Sequence, residues 1–168
     1  LAFTGIRFIL GTLIVLPLAL REIKQAPTNF GKVNWWACIG LGVLLFLGAN
    51  SQQIGLKTTT VTNAAFITAL YVPAVPLLGW LLLKHRSHWM VIPASLGCVI
   101  GTILLSGGSI NEWHTGDTWV AAGVLCWSAH VVYLGLIVNK THRPMTMAVT
   151  QFFTCGLISL GFAAFFEG

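Results

Sequence analysis

The chain has 168 residues, of which 56% are hydrophobic and only 8% are charged, and its formal net charge is +5. A soluble domain carries roughly 25% charged residues, so this composition excludes an ordinary water-soluble fold. Positive charge suits a nucleic-acid-binding protein when it is massed on one face, but here the basic residues lie scattered between apolar runs. We therefore expect no nucleic-acid partner.

The charged residues lie in short clusters that are separated by long uncharged stretches. The stretch after Lys32 holds 24 residues and the stretch after Lys57 holds 26. A helix of roughly 20 apolar residues crosses a hydrocarbon core of about 30 Å. In chain order the pattern predicts six membrane-spanning helices, over residues 1–20, 34–56, 62–83, 89–107, 117–138 and 145–166. The predicted fold class is all-α, a polytopic helical membrane protein.

The basic residues between these spans indicate the orientation of the chain. One set of alternate loops holds seven of them and the other holds only Lys57. The seven are Arg21, Lys24, Lys32, Lys84, Arg86, Lys140 and Arg143. By the positive-inside rule, loops 21–33, 84–88 and 139–144 face the cytoplasm and both ends of the chain face outward. We expect a multi-pass protein of the cytoplasmic (inner) membrane, in contact with the lipid bilayer.

Polar residues at mid-membrane depth are expensive and are therefore candidates for function. In the second span, Asn50 and Gln53 lie three residues apart near the outer end, with Gln52 on the adjacent face. Three amides in one place predict either a water-filled vestibule or a set of contacts between helices.

The third span carries polar groups on one face and two prolines near its centre. Thr68 and Tyr71 share the face, and Asn63 lies closer to the outer end. Pro73 and Pro76 lack an N–H, so each leaves the carbonyl four residues earlier without its usual helical partner. Such carbonyls bind a solute or a neighbouring helix, or else the prolines only kink the span.

In the fifth span Gly123, Trp127, His130 and Tyr133 fall on one helical stripe. His130 lies near the middle of the span, where it either forms a hydrogen bond to a neighbouring helix or lines a cavity.

Apart from Asp117 at the first position of the fifth span, no Asp or Glu lies inside any predicted span, and the cysteines share no close spacing. Neither a metal site nor a disulfide framework is indicated, and we expect no cofactor. An enzyme is not expected either, because the spans contain no metal-ligand pair and no Ser–His arrangement.

Two stretches of the chain resemble the EamA-type repeat of the drug/metabolite transporter superfamily. The first stretch begins with the run GLKTTTVTNAAFITALYVP from Gly55 to Pro73. It continues through the turn LKHR and the glycines at positions 97 and 101. The second stretch opens with Gly116 and Asp117 and continues through the run CWSAH that ends at His130.

The resemblance implies an inverted-repeat architecture with ten helices in the complete protein. Residues 1–108 resemble helices two to five of the first repeat, 109–116 a linker, and 117–168 helices one and two of the second repeat. One helix is then expected before Leu1 and three after Gly168. The residues Ile-Arg-Phe at 6–8 and Thr-Gln-Phe at 150–152 take matching places in the second helix of each repeat.

The resemblance also implies a secondary transporter, in particular an exporter of small metabolites such as amino acids or related compounds, working by alternating access. Its small-molecule substrate would pass the candidate path residues, which are Asn50, Gln53, Asn63, Thr68, Tyr71, Pro73, Trp127, His130 and Tyr133. A non-transporting membrane receptor or scaffold, or a channel subunit, is the alternative. The oligomeric state stays open.

Overall fold

The structure, a computed structural model, describes residues 1–25, 30–84, 89–105 and 113–166. Throughout these ranges the regular elements are helices, without a strand. The seven helices are α1 (Ala2–Gln25), α2 (Lys32–Gly55), α3 (Val61–Ala69), α4 (Tyr71–Leu83), α5 (Val91–Leu105), α6 (Thr115–Thr141) and α7 (Pro144–Phe166).

These helices confirm the predicted fold class. Five segments are long and apolar enough to cross a membrane, with α3 and α4 counted together as Val61–Leu83. The remaining predicted span, 89–107, is α5, an apolar helix of 15 residues, and positions 106 and 107 lie outside the described residues. Of the predicted linker 109–116, residues 109–112 also lie outside the described residues, while its last two residues already belong to α6.

The third span is interrupted at Leu70, between α3 and α4. The Leu70 N–H donates to the carbonyl of Ile67 at 3.1 Å, a tighter turn than that of an α-helix. Pro73 and Pro76 follow within two turns, and each deprives an earlier carbonyl of its helical donor. The interruption therefore lies where the sequence predicts weakened backbone bonding.

Burial in this chain is reversed relative to a soluble protein. Thr4, Ser128 and Ser159 are fully buried, whereas Ile14 is 76% exposed and Phe165 is 89% exposed. Water would penalise so much exposed apolar surface, but lipid does not. With its five long apolar helices, the chain is a multi-pass membrane protein in contact with the bilayer.

The chain divides into two compact units. Unit one comprises Leu1–Leu47 with Tyr133–Gly168, and unit two comprises Gly48–Val132. Helices α2 and α6 each contribute residues to both units, so each unit is described separately.

In unit one, α1 and α7 run antiparallel with glycines at their contacts. A Cβ atom on Gly5 would lie 2.7 Å from Leu160 Cγ, and a Cβ atom on Gly156 would lie 2.8 Å from Ile9 Cδ1. Small residues let membrane helices approach this closely, and the close approach supplies packing energy that lipid cannot. A core of Cys38, Leu41 and Met147 lies in the same unit.

The end of α1 is fixed to the start of α7 by one carboxylate. Glu22 accepts hydrogen bonds from the Thr146 hydroxyl at 2.6 Å, the Thr146 N–H at 2.7 Å and the Met145 N–H at 3.2 Å. Those N–H groups have no partner within α7, because they belong to its first turn. Pro144, the first residue of α7, has no N–H to satisfy.

In unit two, α3 packs on α6 through an apolar core. Ala64 and Ile67 of α3 contact Val120 and Val124 of α6, and all four are buried. This contact fixes the register of the two helices whose polar side chains are described next.

Candidate functional site

A small cavity lies within unit two, between α2, the interrupted span α3–α4, and α6. Its volume is about 10 Å³, which is space for about one water molecule. The residues around it are mostly small, aromatic or uncharged polar residues. They are Gly48, Gln52, Thr68, Tyr71, Val120, Gly123, Val124 and Trp127.

A hydrogen bond between two side chains of the cavity wall connects α2 to α3. The Gln52 side-chain amide, one turn before the end of α2, donates to the Thr68 hydroxyl of α3 at 2.9 Å. Such bonds between membrane helices contribute about 0.6 kcal/mol on average. The bond therefore pairs two polar groups inside the membrane, yet it is weak enough to be exchanged for a bond to a solute.

An aromatic pair forms another part of the wall. The rings of Tyr71 and Trp127 lie with their centroids 6.4 Å apart and their planes at 60°, an edge-on arrangement that aromatic quadrupoles favour. The Trp127 indole lies directly against Gly48, where a Cβ atom would overlap the ring and lie 3.1 Å from Trp127 Cγ. Glycine at position 48 is therefore required for the observed position of the indole.

The interruption of the third span falls within the cavity wall, because Thr68 and Tyr71 lie on either side of Leu70. Pro73 leaves the nearby carbonyl of Ala69 without a helical donor. Interrupted helices with exposed backbone groups form the solute sites of many secondary transporters. The side chains of the wall can thus offer an amide, two hydroxyls and an indole N–H.

Asp117 is the acidic residue at the start of the predicted fifth span. It lies in the first turn of α6 and is fully buried. Its carboxylate accepts hydrogen bonds from the Thr59 hydroxyl, from the Asn63 amide at 3.2 Å and from the His114 N–H at 2.8 Å. A carboxylate is stable there because three donors satisfy it and a helix N-terminus carries partial positive charge.

The nine candidate path residues have different positions in the structure. Thr68, Tyr71 and Trp127 line the cavity. Asn63 bonds to Asp117 instead. Among the described residues of unit two, neither Asn50 nor His130 lines the cavity, although both are buried. Those two positions remain predictions as path residues.

Three further candidates also lie away from the cavity. Gln53 is half-buried, and its neighbour Gln52 lines the cavity; Gln53 remains a prediction as a path residue. Pro73 lines an apolar groove of about 660 Å³ between α4 and α5. Tyr133 belongs to unit one, where its side chain is 51% exposed.

Gln52 and Asp117 are thus prominent in unit two, although neither is among the nine candidate path residues. A signal for Asp117 exists in the sequence, since the threonine run at 58–60 and Asn63 supply donors next to a span that begins with Gly116 and Asp117. No group of three His, Cys, Asp or Glu side chains that could hold a metal ion occurs in the part of the chain that the structure describes.

The chain is similar to known membrane transporters. The model of the EamA-like transporter family matches residues 1–107. The chain is also similar to an uncharacterized transporter of Archaeoglobus fulgidus, with 29% identity over 164 residues that cover 98% of this chain and 49% of that protein. The chain thus spans about half the length of the curated relative it matches. No solved structure gives a significant match.

Proposed function

Since the chain belongs to the EamA-like transporter family, we propose that the complete protein is a secondary carrier that exports small metabolites, such as amino acids or related compounds, by alternating access. The unit-two cavity is the single observation that carries the proposal. It combines uncharged hydrogen-bonding groups with aromatic surface inside a membrane span.

The chemistry of the cavity favours a small organic solute. The Gln52 amide and the Thr68 hydroxyl can donate and accept hydrogen bonds, and the rings of Tyr71 and Trp127 offer flat apolar surface. In the described part of the chain no Lys or Arg lines the cavity. A neutral or zwitterionic metabolite fits such a wall better than an inorganic phosphate, which needs cationic partners.

The size of the cavity corresponds to a closed state. A volume of about 10 Å³ admits one water and no metabolite. Solute entry therefore requires that the Gln52–Thr68 bond or the Tyr71–Trp127 contact opens. Both are weak contacts between different helices, as an alternating-access mechanism requires.

Unit one supports the proposed inverted repeats, with residues 1–108 and 117–168 in opposite orientation and 109–116 as the linker. The matching places of 6–8 and 150–152 make Phe8 and Phe152 equivalent. Their rings contact each other with centroids 5.5 Å apart. Equivalent residues that contact each other are expected beside a two-fold axis, which relates inverted repeats in the membrane plane.

The proposal includes location and partners. We place the protein in the cytoplasmic (inner) membrane with the basic loops inside, a small metabolite as its substrate, and no catalytic activity of its own. The carrier cycle accounts for the polar cavity, which a scaffold would not require.

The test is a counterflow assay on the complete protein in proteoliposomes, with radiolabelled amino acids and related metabolites as solutes. We expect saturable uptake that unlabelled solute inside the vesicles accelerates. Tyr71→Ala should reduce uptake at least tenfold without lowering the amount inserted, because it removes half of the aromatic wall. Leu81→Ala is the matched control, because Leu81 lies on the same helix, α4, and is 68% exposed.

The outcomes separate the alternatives. Non-saturating flux without counterflow would indicate a channel, and absence of flux for every solute in the panel would favour a receptor or scaffold. Normal uptake by the Tyr71→Ala variant would place the solute path elsewhere. The His130→Ala variant, measured in parallel, decides whether the path extends deeper along α6 than the cavity.

A further inference from the structure

Asp117 joins three chain segments at one end of unit two. Its donors come from the turn after α2 (Thr59), from the first turn of α3 (Asn63) and from the segment before α6 (His114). The Thr60 hydroxyl accepts the Asn63 N–H at 3.1 Å and so caps α3 beside them. One carboxylate therefore ties the ends of three helices together.

The same helix ends are in backbone contact. A Cβ atom on Gly55 would lie 2.6 Å from the carbonyl oxygen of Gly116, and a Cβ atom on Gly116 would lie 2.7 Å from the Thr58 hydroxyl. Both glycines are needed for this approach, and no solute can pass between surfaces so close. Among the described residues, this end of unit two is therefore closed between α2 and α6.

The closed end lies one helical turn from the cavity. Val120, three residues after Asp117, lines the cavity, and so does Gln52, three residues before Gly55. Three residues of helix are about 4.5 Å long. The Asp117 cluster thus covers the cavity at the end where α2 finishes and where α3 and α6 begin.

The bonds that hold this end are of a kind that can open. In the described part of the chain, neutral donors hold the Asp117 carboxylate, with the His114 imidazole 3.9 Å away. No Lys or Arg forms an ion pair with it within the described residues. Separating a buried ion pair leaves two uncompensated charges, whereas neutral donors can turn to water or to a solute.

We propose that Asp117 is a latch that closes this end of the cavity, and that its bonds to Thr59 and Asn63 break each time a solute passes through that end. The latch rests on the proposed transport function, because it assigns a solute route to this end. Asp117 acts here as a positioning residue, since it holds the walls of the cavity and does not line it.

The test measures access to the cavity rather than transport. In the complete protein without its native cysteines, Val124→Cys places a thiol in the cavity wall. A membrane-impermeant maleimide is then added to one face of the membrane at a time. Asp117→Asn should raise the labelling rate from the latch side about tenfold, equivalent to roughly 1.4 kcal/mol, because the new amide N–H group confronts the donors of Asn63 and His114.

Three further variants make the test specific. Thr118→Val, at an exposed position next to Asp117, removes the bond from the Trp113 indole N–H but none of the Asp117 bonds, and should leave the labelling rate unchanged. Thr59→Ala removes one donor and should raise the rate less than Asp117→Asn does. The double variant Asn63→Asp with Asp117→Asn again places one carboxylate opposite one amide. Its labelling rate should therefore return towards that of the protein with Asp117 and Asn63 in place.

The outcomes keep the latch and the transport function apart. Unchanged labelling in Asp117→Asn and Thr59→Ala, or an equal increase in Thr118→Val, overturns the latch even when counterflow is normal. If Asp117→Asn fails to assemble, Thr59→Ala and the double variant decide by the same criteria. Absent counterflow in the unmodified protein overturns the transport function, and labelling still reports whether the end is closed.

Discussion

Gly48 offers the sharpest test of the cavity geometry, because a single methyl group there must displace Trp127. The Cβ atom of an alanine at 48 would overlap the indole ring. The indole would have to shift, and because Trp127 and Gly48 both line the cavity of about 10 Å³, its shift would change the shape of that cavity. The Gly48→Ala variant should therefore change both stability and solute binding.

The magnitudes follow from two opposing effects. Alanine in a helix interior gains roughly 0.5–1 kcal/mol over glycine, whereas forcing a methyl group into a packed contact costs about 1–3 kcal/mol. Overpacking wins, and we expect a net loss of about 1 kcal/mol. A displaced indole in the cavity wall should weaken the apparent solute affinity about tenfold, or roughly 1.4 kcal/mol.

The assays are thermal unfolding in detergent and counterflow in proteoliposomes. Gly40→Ala is the matched control, since Gly40 lies in the same helix and a Cβ atom there has nothing within 4 Å; this variant should be as stable as the unmodified protein or more so. Trp127→Leu should remove the overlap, so the pair of variants should show a coupling of about 0.5–3 kcal/mol. Equal behaviour of the two alanine variants, or strictly additive effects of positions 48 and 127, would refute the reasoning.

Two other predictions concern the polar wall and the orientation. Gln52→Leu breaks the bond to Thr68 and should lower the apparent solute affinity several-fold in counterflow. The control Gln53→Leu should leave that affinity near normal. A larger loss of affinity in Gln53→Leu than in Gln52→Leu would move the path to the Gln53 face. A single cysteine in place of Arg86 should react with an impermeant maleimide only from the cytoplasmic face, and labelling from outside would contradict the orientation inferred from the basic loops.

The number and order of the apolar segments could be predicted from the sequence because bilayer thickness dictates the length of each uncharged stretch; the division of the third span into α3 and α4 could not. The ends could not. Helix α1 continues to Gln25, past the predicted end at residue 20, because backbone hydrogen bonding does not stop where charged residues begin. For the same reason α6 begins at Thr115, before the acidic residue that marks its predicted boundary.

The sequence predicts which helix faces carry polar residues, but not which residue of a face lies at the cavity. Helical periodicity places Thr68 and Tyr71 on one face of the third span, and both line the cavity. It cannot decide between Gln52 and Gln53, which differ by about 100° around α2, because the choice depends on where α3 packs. His130 shares the stripe of Trp127, yet a stripe does not show how deep a cavity extends.

The acidic residues show why counting charges at span centres overlooks part of a membrane protein's chemistry. Glu22 accepts the first N–H groups of α7, and Asp117 lies in the first turn of α6. A helix start carries unpaired N–H groups and partial positive charge, and an unpaired backbone group in lipid costs several kcal/mol. Both acids therefore stabilise helix starts, a role that the positive-inside rule does not register. Asp117 differs from Glu22 in one respect that bears on the proposed transport: α3, the helix of its donor Asn63, and α6, its own helix, both continue into the walls of the cavity.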